Sequence, residues 1–296
     1  MKEYLNEFIY HLKLIKKSSN NTVESYKRDV SKYLLYLKEN NIKDSAAVSD
    51  ELISRYISTL VLEGKSSSTI TRVGSSIKGY YKFLNSLNPS LNVPTFKTSL
   101  QKSRDKKIPV ILEVSEIQKL LDQPDMNDIK GIRDRVMLET LYATGIKVSE
   151  LISLNIDDIN LQSDFIKSGN GKNERIVPIH KTAAKLLSLY INQIRPVIVN
   201  DVTNLTLFVN MNGSSLTRQG FWKILKSYAL AAGIDKEITP HTIRHSFAYH
   251  LLENGADLND IKDLLGHVDI SSTQIYSQMI KNKYAKSYAK FHPLAR

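Results

Sequence analysis

Thr239-Pro240-His241-Thr242-Ile243-Arg244-His245, followed by Leu264-Leu265-Gly266-His267-Val268-Asp269 and then Ser271-Ser272-Thr273-Gln274-Ile275-Tyr276, is the part of the chain on which the rest turns. Thr239 and Pro240 mark a helix start, a capping residue followed by a proline at the first helical position. A spacing of three then sets His241 and Arg244 on one face, beside backbone N–H groups that have no partner inside the helix. A proton carrier and a guanidinium fork at such a place suit a phosphate undergoing reaction. Alone, the motif fits a capped helix with surface polar residues equally well. Gly266 ends a second helix, His267 follows it, and Tyr276 stands nine residues beyond. Any one of 15 tyrosines is by default a packing residue. Order and company single this one out.

Upstream, Thr144-Gly145-Ile146-Lys147-Val148-Ser149-Glu150-Leu151 reads as a helix stop followed at once by a new helix whose first turn carries the cation Lys147. Residues 164–168 and 174–179 are short and β-branched, and Gly169-Asn170-Gly171-Lys172-Asn173 joins them as a hairpin turn with Lys172 at its tip. Helical spacing covers residues 115–122, 133–144, 182–193, 217–232, 241–253 and 258–265, and residues 205–209 are expected as a further strand. Towards the start, residues 4–37 give two amphipathic helices broken near residues 18–21. A third spans residues 49–63 and stops at Gly64; a fourth spans residues 67–84, capped by Ser67 or Ser68. Between them and the later elements the periodicity fails. Pro89, Pro94, Lys97, Lys102, Arg104, Lys106, Lys107 and Pro109 make a basic, proline-punctuated linker. The expected fold is mainly α with a small β-sheet, in two domains: a helical bundle over residues 1–88, a linker over 89–108, and a mixed domain over 109–296.

Charge is unevenly spread along the 296 residues, whose formal net is +11. Residues 1–108 hold 19 Lys+Arg against 10 Asp+Glu, and the rest hold 22 against 20. The first third therefore suits a polyanion by bulk charge, while the remainder must act through particular residues. A solvated basic surface is the plain alternative. Zero cysteines exclude disulfides, thiolate nucleophiles and cysteine zinc sites. Nowhere do about 18 apolar residues run together, so no membrane insertion and a cytoplasmic setting are expected.

Taken together, the His-x-x-Arg block, the Leu-Leu-Gly-His block and the tyrosine after it resemble those of the tyrosine recombinase and integrase family, and within it the bacterial Xer recombinases. The resemblance runs over essentially the whole chain, to its Phe291-His292-Pro293-Leu294-Ala295-Arg296 ending. It implies a clamp on duplex DNA and a catalytic domain in which Tyr276 is the nucleophile. Arg244 would be the second phosphate-clamping arginine, His241 its proton-handling neighbour and His267 the next histidine of the site. It also implies four protomers, alike or of two kinds, on two DNA sites, with a helix over residues 281–290 docking on a neighbour.

The chemistry follows from the residues. Attack by a tyrosine hydroxyl on a phosphodiester gives a phosphotyrosine and a free DNA hydroxyl, and the reverse attack restores the DNA. Bond energy is kept, so no nucleotide cofactor is needed, and no metal is expected. A lysine on the hairpin suits protonation of the leaving hydroxyl.

Two positions depart from the family pattern: Lys147 stands where the first catalytic arginine belongs, and Asn170 where the hairpin lysine belongs, with Lys172 two residues on. A lysine keeps the charge and loses the two-pronged grip. One rival is therefore a recombinase homologue that binds DNA with impaired cleavage. Another is a metal hydrolase using His241 and His245 with His250 or His267, which the carboxylate-free position after His241 disfavours. The implied role is chromosome dimer resolution or movement of a mobile element.

Overall fold

The structure is a computed structural model, and it describes residues 2–42, 48–89, 109–201, 203–266 and 273–291. The chain forms two compact units, Met1–Lys106 and Lys107–Arg296. The first contains α1 (Lys2–Leu14), α2 (Asn20–Glu39), α3 (Asp50–Leu62) and α4 (Ser67–Leu87). Each of the last three begins at a serine whose Oγ accepts from the N–H three residues on: Ser19 from Thr22, Ser49 from Leu52 and Ser66 from Thr69. Ser66, not Ser67 or Ser68, is thus the cap of α4, because it is the serine with an extended backbone at the helix entry. The amphipathic faces meet over Phe8, Leu12, Val30, Tyr33, Leu37, Ile53, Ile77 and Tyr80.

The second unit continues with α5 (Val114–Leu121), α6 (Ile129–Thr144) and α7 (Val148–Leu151), then β1 (Ile159–Asn160), β2 (Phe165–Ser168) and β3 (Arg175–Pro178). The helices α8 (Lys181–Leu189), α9 (Arg195–Ile198), α10 (Arg218–Ala231), α11 (Pro240–Glu253), α12 (Leu258–Leu265) and α13 (Gln274–Phe291) complete it. The sheet is antiparallel in the order β1-β2-β3, with Ile166 paired to Val177 and Lys167 to Ile176. Ile166 and Val177 are fully buried and Ile176 is exposed, the alternation expected of a sheet with one face on the core. No helix among the described residues is long and apolar enough to cross a membrane.

Three further expectations are corrected. Residues 205–209 are not a strand of the sheet; β1 is its third member. The backbone of that segment is satisfied otherwise: Arg195 donates to Thr206 O, Tyr190 Oη to Leu207 O and Arg133 Nη1 to Val209 O. With its acceptors taken by side chains, the segment makes only the isolated bridges Asn155–Thr206 and Val209–Ser215. The helix over residues 182–193 widens into a π-turn at Tyr190–Ile194 ahead of Pro196, which has no N–H to continue the ladder. The last helix starts at Gln274, well before residue 281, and so carries Tyr276 in its first turn.

Gly145 sets how α6 meets α11. It closes α6 at φ +60°, and a Cβ placed on it would lie 2.2 Å from Cδ1 of Phe247. Both the left-handed backbone and the close approach require glycine. Gly145→Ala is expected to lower the unfolding free energy of this unit by about 2–4 kcal/mol, the sum of backbone strain and overpacking. Gly233→Ala shares the backbone (φ +64°) but meets nothing within 4 Å, so it should cost only about 1 kcal/mol. Urea unfolding of both variants measures the difference.

Candidate active site

The end of α11 nearest its start carries the site. Thr239 Oγ1 accepts from Thr242 N, and Thr242 Oγ1 accepts in return from Thr239 N, a reciprocal cap with Pro240 at the first helical turn. With the start pinned, the helical period places His241, Arg244 and His245 along one face.

Arg244 is only 4% exposed. Its Nη1 donates to Gly145 O and its Nη2 to Leu265 O, both at 2.6 Å. Each acceptor belongs to a helix C-terminus, α6 and α12, where unpaired carbonyls carry partial negative charge. Burial pushes the guanidinium down to about 10, so it stays charged at neutral pH, with Glu150, Arg175 and Tyr276 within electrostatic range. Among the described residues it makes two of the five hydrogen bonds that a guanidinium can donate.

Glu150 organises the neighbouring cations. Its carboxylate accepts from Arg175 Nη1 at 3.2 Å and Nη2 at 2.9 Å, and from the N–H of Lys147 at 2.9 Å. Arg175 Nε in turn donates to Leu264 O at 2.6 Å. Gly266 makes room for this, since a Cβ there would sit 2.9 Å from Arg175 Nη1. Burial raises the Glu150 carboxyl, but the Arg175 hydrogen bonds, the Lys147 N–H and both charges outweigh it and hold it below its ordinary value. Lys147, at the start of α7, has a 46% exposed side chain with Nζ 3.7 Å from Glu150 Oε1.

Tyr276 is 1% exposed, packed with Phe247, Ala248 and Leu265. Its hydroxyl lies 2.7 Å from Nδ1 of His245. Burial pushes the phenol up to about 12, against the opposing charge of Arg244. His245 is pushed down to about 4 by burial, then by His241 and Arg244, and His241 is lowered by burial, Arg244 and Lys147. Both imidazoles are therefore neutral at physiological pH.

Of the residues singled out in the sequence, the structure brings Tyr276, Arg244, His241 and Lys147 into one neighbourhood. Lys172 lies in a single 3-10 turn, Gly171–Asn173, and its side chain is outside the described residues, as is His267. Among the described residues no group of three or more His, Asp or Glu side chains is placed to hold a metal. Sequence reasoning missed Glu150, Arg175 and the part of His245. For His245 the signal was present, a third polar residue on the face of His241 and Arg244; for Glu150 and Arg175 nothing in their spacing announces a pair 25 positions apart.

A helical first unit, a helix-rich second unit with a three-stranded sheet, and a buried tyrosine beside a helix-borne His-x-x-Arg cluster define the class. The chain belongs to the phage integrase family, the tyrosine recombinases, which cleave and rejoin DNA through a covalent tyrosine intermediate: residues 111–283 match the phage integrase family and residues 5–87 its N-terminal SAM-like domain. It is 42% identical over 296 residues, all of both chains, to a protein named tyrosine recombinase XerD from Staphylococcus epidermidis. Among solved structures it resembles the XerA recombinase, at 27% identity and a TM-score of 0.55 over 99% of this chain and 98% of that one. The XerH recombinase in a post-cleavage complex with difH substrate shares the fold, at 21% identity and a TM-score of 0.78 over 93% and 81%.

Glu150→Gln tests the charge organisation. The variant leaves the buried Arg175 guanidinium without its carboxylate and is expected to lose about 2–3 kcal/mol of stability at neutral pH, less than a fully buried pair. Because the folded carboxyl titrates below its ordinary value, its contribution is present above that value and lost as pH falls through the lowered one. Unfolding curves of the two proteins should therefore converge as pH falls through the lowered Glu150 value.

Proposed function

We propose that this chain acts on duplex DNA as a site-specific tyrosine recombinase, with Tyr276 attacking the scissile phosphodiester to give a 3′-phosphotyrosine and a free 5′-hydroxyl. The observation that carries the reading is the placement of the Tyr276 hydroxyl within the same cluster as the buried Arg244 fork. Arg244 meets the charge that grows on the phosphoryl oxygens, and Lys147 adds a point charge where a second fork would bind two oxygens. His241 handles a proton at the phosphate, with His267 as the next histidine of the site. Lys172, on the hairpin turn, protonates the leaving oxygen. Each strand exchange conserves bond energy, so no cofactor takes part.

Residues 1–88 form the core-binding domain, 89–108 the linker and 109–296 the catalytic domain, which close on DNA as a clamp. The basic excess of the first 108 residues supports this, because lysines and arginines displace counterions from phosphates. Four protomers, alike or paired with a second recombinase, assemble on two sites through α13. In this chain α13 is tied to its own α11, where Lys283 Nζ meets Glu253 Oε1 and Tyr276 meets His245. A phosphate reaches the 1% exposed phenol once the start of α13 shifts, which couples assembly to cleavage. The full-length likeness to proteins named XerD favours chromosome dimer resolution in the cytoplasm over movement of a mobile element.

Tyr276→Phe removes the nucleophilic oxygen alone. Site binding should persist while covalent protein–DNA adducts on a nicked suicide substrate disappear; adducts that persist through another tyrosine would overturn the assignment. Lys147→Arg should speed single-turnover cleavage at nearly unchanged DNA affinity, because the added hydrogen bond strengthens in the transition state. Loss of one well-placed donor costs on the order of 10²–10³ in rate, an upper bound here because Lys147 keeps its charge. A slower variant would mark Lys147 as the residue around which the site is built.

A further inference from the structure

His245 stands in no role in the reaction described so far, yet its Nδ1, 2.7 Å from the phenolic oxygen, makes the only described side-chain hydrogen bond to Tyr276. That is the reach required of a proton acceptor. The phenol must lose its proton as it attacks, since a protonated aryl ester oxygen would be expelled again. We propose that His245 is a catalytic residue, the general base that takes the Tyr276 proton on Nδ1 during cleavage and returns it during religation; this rests on Tyr276 being the nucleophile.

Three observations support it. First, His245 follows His241 by one helical turn near the capped start of α11, and the charge of Arg244 bears on both His245 and Tyr276, so the imidazole, the phenol and the guanidinium fork share one neighbourhood. Second, the imidazole is in its basic form: burial, then His241 and Arg244, hold it down to about 4, and with its proton on Nε2 the ring presents Nδ1 as an acceptor. The titratable and charged groups bearing on it among the described residues are His241 and Arg244 on α11 and Tyr276 on α13, while Lys147 on α7 bears on His241. Third, an entering phosphodiester brings a negative charge to this cationic cluster, which raises the basicity of the imidazole at the moment it is needed.

The balance of the step is simple. The Tyr276 Oη–P bond forms as the bond from phosphorus to the departing 5′ oxygen breaks, the phenolic proton passes to His245 Nδ1, and the departing oxygen takes a proton from Lys172 or solvent. In religation the incoming 5′-hydroxyl attacks phosphorus and gives its proton to Lys172 or solvent, the Tyr276 Oη–P bond breaks, and the released phenolate regains its proton from the His245 imidazolium.

The test uses the full chain and a nicked duplex built on the sequence the protein protects from nuclease, with sulfur replacing the 5′ bridging oxygen so that the leaving group needs no proton. Adduct formation is followed in single turnover against pH for wild type and His245→Asn, with DNA affinity and melting temperature measured in parallel. Asparagine offers an acceptor oxygen near the Nδ1 position and cannot carry the proton. Wild type should be nearly flat between about pH 6 and 9, whereas His245→Asn should be slower by on the order of 10²-fold at neutral pH and gain about tenfold per pH unit as hydroxide replaces the base. An Asn variant with the wild-type profile would reduce His245 to holding the phenol, and a His245→Ala enzyme faster than wild type would make the contact a restraint; either overturns the proposal. Absence of adduct with wild type, or adduct with Tyr276→Phe, would instead sink the nucleophile assignment and this proposal with it.

Discussion

The buried guanidinium of Arg244, held by the carbonyls of Gly145 and Leu265, is the interaction around which the second unit is arranged. A cation taken out of water is costly unless oxygen atoms surround it, and two helix C-termini supply such oxygens without adding a second full charge. Three helices are therefore required to converge: α11 brings the arginine, and α6 and α12 bring their ends. Glycine at 145 follows from the same convergence, since α6 must turn away while Phe247 of α11 packs against the turn. The charge is in place before any ligand arrives, and nothing need reorganise when a phosphate becomes more negative in its transition state.

Around that centre the remaining charges are graded by burial. Arg175 is neutralised by Glu150 and pinned to Leu264 O, so its work is to hold the end of α12 against β3. Glu150 also fixes the N–H of Lys147 while leaving its ammonium half in water, at the rim of the cluster. The buried fork is thus a fixed element and the exposed lysine an adjustable one. An arginine and a lysine in these two places differ in geometry far more than in charge.

Tyr276 is kept apart from solvent by the same packing that stabilises α13. Tyr276 adds its ring to the cluster of Phe247, Ala248 and Leu265, and its hydroxyl is satisfied by His245. A buried phenol so raised keeps its proton at neutral pH.

Local chemistry was legible in the amino-acid sequence wherever it depends on neighbours in the chain. The helix periods, the cap at Thr239, the hairpin from 165 to 178 and the helix stops at Gly145 and Gly266 all follow from spacing and backbone preference. The cap of α4 escaped, because three consecutive serines are alike in composition and only the helix entry chooses among them. Residues 205–209 read as a strand because their side chains suit one, but the side chains of Arg133, Tyr190 and Arg195, distant in sequence, take their carbonyls. Likewise His241, Arg244 and Tyr276 stood out by order, whereas the pairing of Tyr276 with His245, 31 positions away, and of Glu150 with Arg175 required the fold. Sequence alone determines what each segment prefers and which chemistry its residues can perform; the tertiary structure decides which polar groups share a buried space, because desolvation and hydrogen-bond satisfaction are properties of neighbours in space and not along the chain.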